Sequence, residues 1–160
     1  MATVTRLPVP PTKMETTIGF VPWLLLAALI VFALFTYPEL PTQLPTHFDW
    51  AGTPDGMAGK SAIWVLLGVF VLLELGMSIL IRFPNAFNFP VKVENGNRAA
   101  LVRIGMQLTR AMKLSIALLA WLVVAAVLGY VGGPWVLPLT LTFILLPIGY
   151  YLGKMWRLRP

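Results

Sequence analysis

His47, Asp49, Asp55 and Lys60 are the residues whose types could do chemistry, and they stand within fourteen positions of one another in the stretch Tyr37 to Lys60. That stretch holds the only histidine and also contains Glu39. Two carboxylates beside an imidazole suggest a small ion or substrate site. A zinc site takes three or four nitrogen, sulfur or carboxylate ligands, so this set is thin and no metal is expected. General acid–base work by His47 and Asp49 would also need an oxyanion stabiliser and a pocket, and no catalytic residue is assigned. The competing reading is bracing, in which His47 bonds within the loop, Asp55 fixes a turn and Lys60 answers the carboxylates.

The surroundings of this loop are built for lipid. The chain of 160 residues is 58% hydrophobic and 11% charged, which places it in the membrane class and points to an all-α integral membrane protein. It has no cysteine, hence no disulfide framework and no thiolate chemistry. Residues 1–17 form a polar, proline-rich tail that does not read as a signal peptide, because the first apolar run begins only at Ile18 and is full length. Four spans are expected, at about 18–37, 62–81, 112–131 and 134–152, followed by a basic tail over 153–160. Gly132 and Gly133 are the only separation between the last two spans, with Pro134 opening the fourth helix.

All of the twelve Lys and Arg residues except Lys60 fall on one side of this arrangement. The positive-inside rule therefore puts both termini and the 82–113 connection in the cytoplasm and the Tyr37–Lys60 loop outside. The net charge of +6 follows this topology rather than a nucleic-acid surface, and no nucleic-acid partner is expected.

Within the outer loop, Pro38, Pro41 and Pro45 make a stiff, extended descent. His47 to Trp50 alternates polar with aromatic, as a short strand or an interfacial segment would. Gly52 and Pro54-Asp55-Gly56 are turn signals, and Ser61 is a plausible N-cap for the second helix. On the cytoplasmic side, Asn95 to Lys113 reads as an amphipathic arm with Leu101, Gly105, Leu108 and Met112 on its apolar face. Arg98, Arg103 and Arg110 lie elsewhere on its wheel, and their expected contacts are anionic lipid headgroups or, as the alternative, a docking protein partner.

Glu74 stands eight residues before Arg82, about 12 Å inside the membrane. An acidic group at that depth is functional or braced. The bracing partner expected from sequence is the Phe143 carbonyl, which Pro147 deprives of its helical donor.

Pro45, His47, Phe48, Gly52, Asp55, Gly59 and Lys60 together resemble a bacterial membrane family, the domain of unknown function 1648, which also forms the N-terminal part of SdpI-like immunity proteins. Phe89-Pro90-Val91-Lys92-Val93, followed by Glu94-Asn95 and Arg98, is similar to that family's segment before its third helix. Asp49 stands where members often have Asn. The resemblance implies a polytopic protein of the bacterial cytoplasmic membrane without catalytic activity or cofactor. Its best-known members protect against a secreted toxic peptide and signal by sequestering a regulator at the membrane. Two functions are expected from these readings. One is a non-enzymatic protein of immunity or signalling type acting through its outer loop. The other is an accessory subunit of a larger membrane complex, such as a respiratory or photosynthetic assembly, with a protein partner in the membrane.

Overall fold

A computed structural model of the chain describes residues 19–160, so the tail expected over 1–17 and the start of the first span at Ile18 lie outside the described residues. Among the described residues, four helices are long and apolar enough to cross a membrane. They are α1 (Val21–Thr36), α2 (Ala62–Leu80), α3 (Arg98–Val127) and α4 (Val136–Trp156). Together they make a multi-pass membrane protein. Pro22 sits in the first turn of α1, where its missing amide costs no hydrogen bond. A single 3-10 turn, Tyr37–Glu39, ends that helix around Pro38.

The all-α expectation needs one correction. Between α1 and α2 lies an antiparallel hairpin, β1 (Gln43–Phe48) and β2 (Pro54–Gly59). Pro45 is accommodated because a two-stranded sheet consists of edges, where a missing amide need not break the ladder. Register irregularities flank His47, which faces Gly56 across the strands. Leu44 is the residue that anchors the hairpin, since its side chain is buried in the same apolar cluster as Leu26, Leu29 and Ile63.

α3 is the central element and packs against α1, α2 and α4. Its buried stripe recurs at helical spacing through Leu101, Gly105, Thr109, Lys113, Ala117, Ala120 and Val124. Small residues on this stripe let neighbouring backbones approach closely, which matters in lipid because burial from water is no longer the driving force. Trp121 adds a polar tie, its indole N–H donating to the Leu25 carbonyl at 3.0 Å. Its ring also lies against Phe32 of α1.

The segment expected as an amphipathic arm feeding into the third span is helical from Arg98. It is continuous with the third span in one helix of 30 residues, about 45 Å long at 1.5 Å per residue and so longer than a hydrocarbon core. Part of its apolar face is covered from within the protein. Phe87 and Phe89 of the preceding connection cover Gly105 so closely that a Cβ there would come within 2.6 Å of the Phe87 ring.

The other end of α3 also differs from expectation. The helix stops at Val127 rather than 131, and Gly129 and Gly133 take the left-handed φ values of 77° and 80° in the turn that follows. α4 therefore starts at Val136, after Pro134, and continues through Lys154 to Trp156, so half of the expected basic tail is helical.

The hairpin head and its groove

Each candidate residue of the hairpin is held by a specific local cause. Asp49 closes the turn: its Oδ1 accepts hydrogen bonds from the Ala51 amide at 2.9 Å and the Thr53 amide at 2.8 Å. The backbone completes the turn with Asp49 N–H donating to the Thr53 carbonyl and Gly52 N–H to the Asp49 carbonyl. Gly52 has φ 78°, and a Cβ on it would stand 2.2 Å from the Gly133 carbonyl oxygen. The hairpin tip is thus pressed onto the connection between α3 and α4, at a place only glycine fits.

His47 and Asp55 meet across the strands, Nδ1 to Oδ1. Gly56 opposite His47 leaves room for this, because any side chain there would crowd the His47 Cβ. Asp55 therefore pairs with the histidine, and Asp49, not Asp55, fixes the turn. Lys60 also departs from expectation. Its ammonium does not answer these carboxylates; it donates to the Tyr37 carbonyl at 3.3 Å and lies 4.8 Å from the centroid of the Tyr37 ring. This ties the hairpin's end back to the exit of α1. Ser61 occupies the N-cap position of α2 but makes no side-chain capping bond.

A groove of about 500 Å³ runs along one side of the hairpin. His47, Asp49, Trp50 and Asp55 are at its lip, and Val123, Ala126, Val136 and Leu137 of α3 and α4 are among its apolar walls. Phe48 is half-buried on the core, whereas Trp50 is 86% exposed. The lip is polar and acidic, and the floor is apolar. Such an arrangement can hold an amphiphilic molecule by its polar end.

Glu74 lies elsewhere, fully buried at 0% exposure. The expected contact with Phe143 on the fourth helix does not form. Its partner is Lys113 of α3, whose ammonium stands 3.1 Å from Glu74 Oε1 and donates to the Gly19 carbonyl at 3.3 Å. The Lys113 contact is thus an ion pair, and neither Glu74 oxygen has a well-aligned hydrogen-bond partner among the described residues. One ion pair therefore links α2 to α3, and the same ammonium reaches the chain just before α1. The signal in the sequence was the i, i+4 stripe, on which Lys113 aligns with Gly105, Thr109 and Ala117.

At the opposite end, Arg98 and Arg103 are exposed and Arg110 is half-buried. Arg98 reaches the Asn85 side chain at 3.5 Å, and Lys92 pairs with Glu94 at 2.9 Å. Asn97, unremarked in sequence, clasps this end. Its amide donates to the carbonyls of Lys92 and Leu158, and its oxygen accepts from the Glu94 amide.

This helix–hairpin–helix geometry coincides with a known sequence family. Residues 24–71 match the family "Domain of unknown function (DUF1648)". The match runs from the first turn of α1, through the whole hairpin, to the middle of α2. Glu74 falls just beyond the DUF1648 segment. Among curated proteins, the chain is similar to the uncharacterized membrane protein YbgB of Bacillus subtilis, 39% identical over 57 residues, covering 36% of this chain and 63% of that protein. It is also similar to an uncharacterized protein of Archaeoglobus fulgidus, 30% identical over 73 residues, covering 41% of this chain and 40% of that protein. The chain thus spans less than two thirds of the length of these relatives. No solved structure matches it.

Proposed function

We propose that this is a small non-enzymatic protein of the bacterial cytoplasmic membrane that recognises an amphiphilic ligand through its hairpin head, in a role of SdpI-like immunity or signalling type. The observation that carries the reading is the groove, which joins an acidic lip to an apolar floor beside a braced hairpin. Weighing against catalysis, the described residues bring one imidazole to the groove, already paired with Asp55, and Asp49 commits Oδ1 to the turn amides. The charge asymmetry supports an outward hairpin and a cytoplasmic basic end, where Arg98 and Arg103 meet anionic headgroups.

The test is to substitute His47 and Asp49 together in a strain lacking the native protein, challenged with external toxic peptide. Lost protection with a folded, membrane-inserted variant supports recognition. Full protection by that variant rejects it, and loss of the folded protein assigns the two residues to bracing.

A second reading, an accessory subunit of a larger complex, is favoured by α4. That helix packs on α3 and leaves Leu139, Leu145, Leu146 and Tyr150 exposed on its outer surface. Stoichiometric recovery with a large assembly in mild detergent would support this reading, and recovery of the protein alone would favour the receptor.

A further inference from the structure

We propose that the groove beside the hairpin binds an amphiphile with a cationic amine head, and that its occupant in the membrane is a phospholipid with an ethanolamine headgroup. This rests on the reading of the hairpin as a recognition element and names what it recognises.

The charge of the lip sets the head. Asp49 and Asp55 both line the groove, and among the described residues no Lys or Arg does. The nearest lysine in the loop, Lys60, is committed to the Tyr37 ring and carbonyl. Asp49 uses Oδ1 for the turn amides, and Asp55 uses Oδ1 for His47, so each keeps a second carboxylate oxygen for an incoming N–H. An ammonium with three donors matches this pair, and charge-assisted bonds to carboxylates are among the stronger hydrogen bonds available. Trp50 offers an exposed indole at the same lip, the best aromatic face for a cation.

The floor sets the body. Val123 and Ala126 belong to one membrane-crossing helix and Val136 and Leu137 to another. Leu141, one turn along α4 from Leu137, is exposed, so the apolar wall continues onto a lipid-facing surface. An acyl chain can follow that path without leaving the hydrocarbon. A cationic amphipathic peptide shares the head chemistry, but the continuity of the floor with lipid-facing helix favours a lipid. The volume, about 500 Å³, lies within the range of ordinary small-molecule sites.

The experiment is lipid retention by the full chain, extracted from bilayers of equal phosphatidylethanolamine and phosphatidylglycerol and read by native mass spectrometry. Ethanolamine lipid should be retained over glycerol lipid by about fivefold, the loss of one modest charge-assisted contact. The double variant Asp49→Asn, Asp55→Asn keeps the oxygen that braces the turn and the oxygen that faces His47, and should abolish the preference. Leu137→Trp should block the floor while leaving both carboxylates. Melting temperature verifies that each variant is folded, and the Asn pair suffices if the Trp variant fails to insert. Equal retention of both lipids by the native protein, or an unchanged preference in the Asn pair, overturns the proposal. A lysine-rich amphipathic peptide that displaces the ethanolamine lipid also overturns it, while leaving the recognition reading standing. Conversely, a His47 and Asp49 double variant that still protects cells from peptide would sink peptide recognition while leaving the native protein's lipid preference standing.

Discussion

Removing one partner of the Glu74–Lys113 pair should damage the protein far more than removing both. At 3.1 Å and an effective dielectric constant near 20, the gross attraction is about 5 kcal/mol. Desolvation of both ions offsets most of this, so the pair adds little net stability over two apolar side chains of similar volume. Lys113→Met, however, leaves a fully buried carboxylate facing α3 without its cation and should cost about 3–5 kcal/mol. Glu74→Leu leaves the ammonium with the Gly19 carbonyl alone and should cost a similar amount. The double variant should lie within about 1 kcal/mol of the native protein. The coupling energy is then about 5 kcal/mol or more, above the usual range for a double-mutant cycle. Reversible unfolding in mixed detergent micelles, followed by tryptophan fluorescence, measures all four corners. Additive single effects, or single losses below about 0.5 kcal/mol, would refute the argument that one ammonium fastens the three helices.

Three further substitutions test the two ends of the molecule. Gly52→Ala forces a side chain into a left-handed turn against the Gly133 carbonyl and should cost about 1–3 kcal/mol, read as a lowered melting temperature and faster proteolysis of the hairpin. Asn97→Ala removes the clasp on Lys92, Glu94 and Leu158. It should cost about 1–3 kcal/mol and raise amide exchange in the 92–97 segment while leaving the hairpin unchanged. Gly105→Val would push the Phe87 ring off α3, so limited proteolysis should open the 83–93 connection with little change at the spans.

The spans were legible because lipid dictates their composition, and α2 ends within a residue of its expected boundary. The hairpin was only half legible. Its prolines and alternation suggested an extended piece, but pairing depends on Leu44 reaching the helix core and on Gly52 meeting Gly133, both contacts distant in sequence. Lys60 was misjudged because opposite charges in one loop look like partners, whereas Tyr37 lies nearer in space. Lys113 was counted with the basic cytoplasmic residues. Its place on the small-residue stripe of α3, opposite the buried Glu74, outweighed its membership in a basic segment. Arg98 and Arg103 remained exposed as their wheel positions suggested, but the apolar face beside them is covered by Phe87 and Phe89.

An outward-facing recognition head is the centre of this account, and the chain's lack of cysteine allows a direct measurement of it. A single cysteine at Met57, which is exposed on β2, can be labelled in intact cells with a membrane-impermeant thiol reagent. A second cysteine at Arg103, exposed at the basic end, serves as the control. The account predicts labelling at position 57 in intact cells and at position 103 only after permeabilisation. The reverse pattern would place the hairpin in the cytoplasm and contradict recognition at the outer surface.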